Sequence, residues 1–248
     1  MKNSLQFKVA TFLFKHVPVL YKPLYYFFKN RQDADELNLL KQFIKPGSTV
    51  VDIGANIGFY AEYFSNWVGE TGKVHCFEPD ETNFSLLKKN TQNSENTIIN
   101  KLAVSDKTGS ITLYKSHRLN VDHRTYKPTQ FDSTTELKCV SIDDYINNKF
   151  KVDFIKMDIQ GAEYPALEGM KKTLKNNDIK LLSEFWPYGL KQAGSSKQQV
   201  YAFLTEQGFS VYKIDKTNLI LIESKSELEV FSDDEEDYYN ILATRSSI

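Results

Sequence analysis

Residues 51–60, VDIGANIGFY, limit what this chain can fold into more than any other stretch of it. A β-branched run enters the segment, a helix-patterned run (58–68) leaves it, and two glycines lie between. A strand buried on both faces reads as a short continuous apolar run, and TVVDI at 49–53 is one. Gly54 permits a tight turn and a close approach of backbone to a ligand, because it carries no Cβ. Gly58 permits close packing at the helix start, and Asn56 can cap that helix or hydrogen-bond a ligand. Strand, acid, glycine turn and helix in this order is a βα unit of an open α/β sheet, where ligands bind outside the carboxyl ends of the strands.

The unit recurs along the chain. Strands are expected at 73–78, 97–104, 111–114, 152–159 and 179–185. Helices are expected at about 81–93, 164–176 and 196–207. KCVSIDDYI (138–146) resumes the alternation after 115–136, which has no clear period and reads as a functional loop. FSVYKI and LILIE form a late strand pair, 227–237 is acidic, and YNILATR closes the sheet. The expectation is a doubly wound, mostly parallel sheet with helices on both faces and an antiparallel last strand, over 46–248. Residues 1–45 read as an N-terminal helical extension. Pro18 and Pro23 are expected to break its first part into two short helices, and a further helix runs from about Asp33 to Phe43.

Composition narrows the function classes. A net charge of −1 gives no electrostatic case for a nucleic-acid partner. The two cysteines, Cys76 and Cys139, form neither a CxxC pair nor a disulfide framework, which points to a reducing compartment and a cytoplasmic location. No apolar stretch of about 18 residues is present for a membrane span, and no signal peptide is recognisable. The spacing Gly54-x-Asn56-x-Gly58 is not the GxGxxG of dinucleotide sites, whose second glycine clears room for a pyrophosphate. An acid beside the turn, Asp52, suits the ammonium of S-adenosylmethionine. Glu78, at the end of the next strand, suits both ribose hydroxyls, although dinucleotide enzymes place an acid there as well.

The segments VDIGANIGFYAEYFS (51–65), FEPD (77–80), LAVSD (102–106), DFIKMDIQGAEYPALEGM (153–170) and LLSEFWP (181–187), with NILATR at the end, resemble the FkbM family of methyltransferases in order and content. The resemblance covers about residues 35–245. It implies the class I methyltransferase fold, S-adenosylmethionine as donor, and transfer to a hydroxyl of a sugar, glycolipid or secondary metabolite. Carried over by position, it implies that Asp52, Gly54, Asn56, Gly58 and Phe59 line the methionine end of the cofactor. Glu78 and Pro79 hold the ribose, Ala103 and Val104 sit near adenine, and Asp158 lies close to the transferable methyl. Gln160 stands where the family often has Glu, which keeps hydrogen bonding but removes a charge.

A hydroxyl acceptor calls for a base. His123, in LNVDHRTY (119–126), is the first candidate, with Arg124 as a fork for an anionic or hydroxylated group. Asp158, Glu163 and Glu184 form a second set near the active edge of the sheet. Glu163 reads equally as a helix cap, and Phe185-Trp186-Pro187 reads as an aromatic wall or as core. No clean metal-ligand spacing appears. N-methylation of a small molecule or protein, and an inactive membrane-surface scaffold, stay open as alternatives. Residues 1–32 carry six Lys and Arg, eight of the aromatic residues and no acid. A lid over the acceptor pocket is the preferred reading; peripheral membrane contact is the other. Oligomeric state is not readable.

Overall fold

The computed structural model describes residues 18–115, 124–127, 131–176 and 178–246. Helix α1 (Pro18–Gln32) and helix α2 (Ala34–Phe43) precede strand β1 (Thr49–Ile53) and helix α3 (Phe59–Val68). Strand β2 (Lys73–Phe77), helix α4 (Glu81–Asn90) and strand β3 (Thr97–Asn100) follow. Then come strands β4 (Ala103–Val104), β5 (Gly109–Lys115) and β6 (Ser133–Val140), helix α5 (Ile142–Ile146) and strand β7 (Phe154–Met157). Helices α6 (Glu163–Glu168) and α7 (Lys171–Asn176) lead to strand β8 (Lys180–Phe185), and helices α8 (Pro187–Gln192) and α9 (Lys197–Glu206) lead to strand β9 (Ser210–Asp215). Strand β10 (Asn218–Ile222), a 3-10 turn (Lys225–Val230) and strand β11 (Tyr239–Thr244) complete the order.

The main sheet runs β10-β9-β11-β8-β7-β1-β2-β3. Strands β3, β2, β1, β7 and β8 are mutually parallel, and β11 inserts antiparallel between β8 and β9. The chain leaves β1 towards β2 on one side and returns to β7 on the other. That reversal opens a crevice at the carboxyl ends of β1 and β7.

Strand alternation sorts the two faces. Val51, Ile53, Ile155 and Met157 point into one apolar core under α5 to α9, while Val50, Phe154, Leu182 and Leu242 point into the other, under α2 and α3. Asp52, Lys156 and Glu184 stand two residues beyond Val50, Phe154 and Leu182, on that same second face. So the face that packs Leu37, Leu40, Phe59 and Phe64 ends in a polar rim at the crevice.

Four sequence expectations are corrected here. Helix α1 passes through Pro23 without a break. Pro23 lies inside the helix and removes the bond its N–H would have made to the Val19 carbonyl, yet the helix continues across it. The expected strand 97–104 is two strands: β3 belongs to the main sheet, whereas β4 pairs with β6 in a separate sheet of order β4-β6-β5. The expected helix 164–176 is likewise two, α6 and α7, with Gly169 between them. A Cβ on Gly169 would lie 2.0 Å from the Ser105 carbonyl oxygen, so glycine lets this turn press against the loop after β4. Helix α8 was not anticipated at all. Its Gly189 packs against the Trp186 ring at a distance no side chain would fit.

Candidate active site

A cavity of about 380 Å³ fills the crevice, within the size range of small-molecule sites. Its walls come from the loops after β1, β2 and β7, from β4 and β5, from Glu184 of β8, and from Tyr25, Lys29 and Gln32 of α1.

Two turns shape the floor. Gly54 has φ +80°, and a Cβ there would lie 2.0 Å from the Asp158 carbonyl oxygen. This glycine therefore lets the loops after β1 and β7 touch, and it also lines the cavity. Gly58, at φ +91°, packs on Leu87 of α4 and is not on the cavity wall. Asn56 adopts φ +51°, and its backbone N–H donates to Glu78 Oε2 at 2.9 Å. The Asp80 N–H donates to Glu78 Oε1 at the same distance. These two backbone donors, with a side-chain hydrogen bond from Asn83, lock the carboxylate in place. Burial, assisted by Asp80, pushes Glu78 up to about 7, with the two backbone donors working against the shift. Pro79, Ala103, Val104 and Phe59 line the cavity together with Glu78.

The opposite end is crowded with charge. Asp52 is fully buried and off the wall, and neither of its oxygens has a hydrogen-bond partner. Its compensation is the Lys156 ammonium, 3.6 Å from Oδ1 and 3.8 Å from Asp158 Oδ2. Burial lowers the lysine's proton affinity, but the two carboxylates outweigh it and the net direction is upward. Asp158 keeps 39% of its side chain exposed. The Gln160 amide, from a left-handed residue (φ +57°), donates to Asp158 Oδ1 at 3.3 Å and to Glu184 Oε2 at 3.0 Å. Burial, Asp158 and Glu163 together hold Glu184 well above the ordinary carboxylate range. Asp158, Gln160 and Glu184 all face the cavity.

A family model described as the Methyltransferase FkbM domain matches residues 52–211, roughly two thirds of the chain. The chain belongs to the FkbM methyltransferase family. It is accordingly an S-adenosylmethionine-dependent enzyme on a class I methyltransferase fold. It is 26% identical over 165 residues to the 2-O-methyltransferase NoeI of Sinorhizobium fredii, spanning 58% of this chain and 68% of NoeI. Among solved structures, it resembles a methyltransferase FkbM of Methylobacillus flagellatus KT at TM-score 0.49 and 18% identity, over 79% of this chain and 44% of that one. A proposed rRNA methylase of Clostridium thermocellum matches at TM-score 0.52 and 15% identity, over 86% and 95% of the two chains. Neither structural likeness speaks to more than the fold.

In this FkbM chain the structure gathers Gly54, Asn56, Phe59, Glu78, Pro79, Ala103, Val104, Asp158 and Glu184 around one cavity. It leaves Asp52 and Gly58 behind the wall. His123 lies outside the described residues. Arg124 is buried with its guanidinium 5.0 Å from the Trp186 ring centroid, and its backbone pairs with Tyr114. Trp186 is not an aromatic wall of the cavity: it is fully buried, stacks on Tyr238, and donates from Nε1 to the Glu235 carbonyl. Phe185 packs against Phe231 in the core. The aromatic lining comes instead from Tyr25, Phe59 and Tyr60.

Glu163 turns back on its own loop. Its Oε1 accepts from the N–H groups of Ile159 and Gly161, each at 3.2 Å, so it braces the segment that carries Asp158 and Gln160. Burial pushes it up to about 7. Lys156, Tyr25, Lys29 and Tyr60 were not anticipated as site residues. The signal for Lys156 was present in K-M-D, since residues two apart on a strand share a face. No comparable signal marks the residues of α1. Among the described residues no cluster of three or more His, Cys, Asp or Glu is placed to hold a metal, and no helix is long and apolar enough to cross a membrane.

Proposed function

We propose that this chain transfers the methyl group of S-adenosylmethionine to a hydroxyl of a sugar, glycolipid or secondary metabolite, with the carboxyl pair Asp158 and Glu184 as proton acceptor. The single observation that carries this reading is the Asp158–Gln160–Glu184 cluster on the cavity wall. An alcohol is a poor nucleophile until its proton is taken, and a base with raised proton affinity takes it more effectively at neutral pH. Glu184 has that property through burial and neighbouring carboxylates. The Gln160 amide holds both carboxyls in one geometry, so that an acceptor hydroxyl meets a fixed group rather than a mobile one. The activity of the Sinorhizobium relative, a 2-O-methyltransferase, supports an oxygen acceptor.

The cofactor supplies an electrophilic methyl group when bound. The residues present fit it: the locked Glu78 carboxylate on the cavity wall suits the ribose diol, and the apolar wall of Ala103, Val104 and Leu113 suits adenine. Asn56 and Pro79 flank the ribose position, and Asp158 stands at the reacting end.

The test is transfer from methyl-labelled S-adenosylmethionine into separated glycan, lipid, small-molecule and protein fractions. Label is expected in a hydroxyl-bearing fraction as an ether. Label found only on amines of protein or small molecules overturns the reading.

A further inference from the structure

Helix α1 presents two faces. Phe27, Phe28 and Arg31 are exposed, whereas Tyr25, Lys29 and Gln32 line the cavity. The two lysines described in α1 are turned towards the domain rather than left in solvent. Lys22 bonds Glu62 at 2.6 Å, and Lys29 bonds Asp33 at 2.7 Å. The helix is anchored where it meets the polar rim. Tyr26 donates to Glu62 at 2.9 Å, and the Tyr60 hydroxyl lies 2.6 Å from both Asp33 and Glu36. The single proton of Tyr60 cannot serve two carboxylates. Burial raises Glu36 above the ordinary range, which suits a protonated Glu36 as the second donor. A buried polar chain therefore runs from α1 through Tyr60 towards Lys156.

Two ammonium groups meet the cavity there. Lys29 Nζ lies 5.8 Å and Lys156 Nζ 4.8 Å from the Tyr60 ring centroid. Each ammonium has three donors. Asp33 engages one of Lys29, and the contacts of Lys156 with Asp52 and Asp158 are long, at 3.6 and 3.8 Å. The wall at this end thus offers cationic donors beside an acceptor, Asp158, whereas the Glu78 end offers lone pairs and apolar surface. A zwitterionic amino-acid tail needs both signs on adjacent atoms, and only the first end supplies them.

Building on the cofactor reading above, we propose that Lys29 and Lys156 together hold the carboxylate of the donor's amino-acid tail, with Asp158 facing its ammonium, so that helix α1 is part of the cofactor site and not only a roof over the acceptor. The consequence is that donor binding and ordering of the N-terminal helix are coupled: a tail that bridges α1 and β7 binds best when the helix is docked.

The test compares two ligands by calorimetry on the full chain. S-adenosylhomocysteine has the tail, and 5′-methylthioadenosine lacks it while keeping adenosine and sulfur. Lys29→Met is expected to weaken S-adenosylhomocysteine by about tenfold or more, the scale of a charge-assisted contact, and to leave 5′-methylthioadenosine unchanged. Lys29→Arg is expected to recover much of the loss. A double variant, Lys29→Met with Asp33→Asn, removes the orphaned carboxylate and is expected to bind as weakly as the single one. Equal weakening of both ligands, unchanged affinity for both, or full recovery in the double variant overturns the proposal. If the unaltered chain binds neither ligand, the cofactor assignment itself is wrong and the proposal falls with it.

Discussion

The two ends of the cavity hold their carboxylates in opposite ways. At one end Glu78 is fixed by backbone N–H groups of Asn56 and Asp80, which are dipoles with nowhere to go. At the other end Asp52, Asp158 and Glu184 are fixed by side chains, Lys156 and Gln160, that carry or share charge. Backbone donors cannot be titrated or rotated away, so the first arrangement suits recognition of a constant group. A side-chain network can pass a proton and is sensitive to every member, so the second suits chemistry. The left-handed residues Asn56 and Gln160 serve the two ends alike, each turning a loop so that one donor points at a carboxylate.

The strongest way to break this contrast is to neutralise the reacting end. Asp158→Asn combined with Glu184→Gln is expected to lower turnover by about 10² to 10⁴-fold, the weight of a positioned base. Affinity for 5′-methylthioadenosine, which lacks the amino-acid tail, should stay within a few-fold, whereas ligands that carry the tail weaken with the loss of the Asp158 charge. A double variant that keeps full turnover would move the base to another residue, and His123→Ala is then the measurement to make.

Next in size is stability. Lys156→Met leaves Asp52 buried and uncompensated, which is expected to cost about 3–5 kcal/mol in denaturant unfolding. Adding Asp52→Asn should return most of that loss, because it removes the stranded charge. A single variant as stable as the parent would mean that the polar rim is not the charge network drawn above.

The Glu78 end predicts a pure binding effect. Glu78→Ala should weaken S-adenosylmethionine by roughly 1.5–3 kcal/mol, the range for hydrogen bonds to a charged group, with turnover at saturating donor little changed. A fall in saturated turnover comparable to that of the base-pair variant would erase the distinction between the two ends.

The smallest effect is a pH dependence. Glu78 is raised to about 7 by burial, and the ionised form is the better ribose partner. Donor affinity should therefore climb as pH rises from 6 to 8 and flatten above. Glu163 also sits near 7, on the loop that carries Asp158, and contributes to the same window. Glu78→Gln separates the two: the part of the climb that survives it belongs to Glu163. For stability the sign is opposite. A carboxyl whose folded pKa lies above its unfolded value near 4.3 contributes stability at low pH and loses it between about 4 and 7.

The comparison also shows which parts of the site were readable in advance. Glu78 was legible because it sits at the end of a strand in the βα unit after the glycine turn, a position defined by local order. Asp158 and Glu184 were legible for the same reason. Trp186 was left open between wall and core because an aromatic at a strand end has two faces to choose from. The choice was made by α8, whose Gly189 lets the ring sink into the core beneath Tyr238. Asp52, read from the sequence as the acid beside the cofactor, is fully buried off the cavity wall, with the Lys156 ammonium 3.6 Å from its Oδ1.

What the sequence by itself determined is the alternation of strands and helices, the strand, glycine turn and helix at 49–68, and the acids at the strand ends. These depend on periodicity, glycine and β-branching, all of which act over a few residues. Only the tertiary structure decided that Thr97–Val104 splits between two sheets, that α1 crosses Pro23 intact, and that Lys29 meets, on one cavity wall, Lys156 and Asp158 from more than a hundred residues later. The reason is physical: a salt bridge or a cavity wall is a relation between segments far apart in the chain. Its energy depends on burial and distance, neither of which exists until the sheet has brought those segments together.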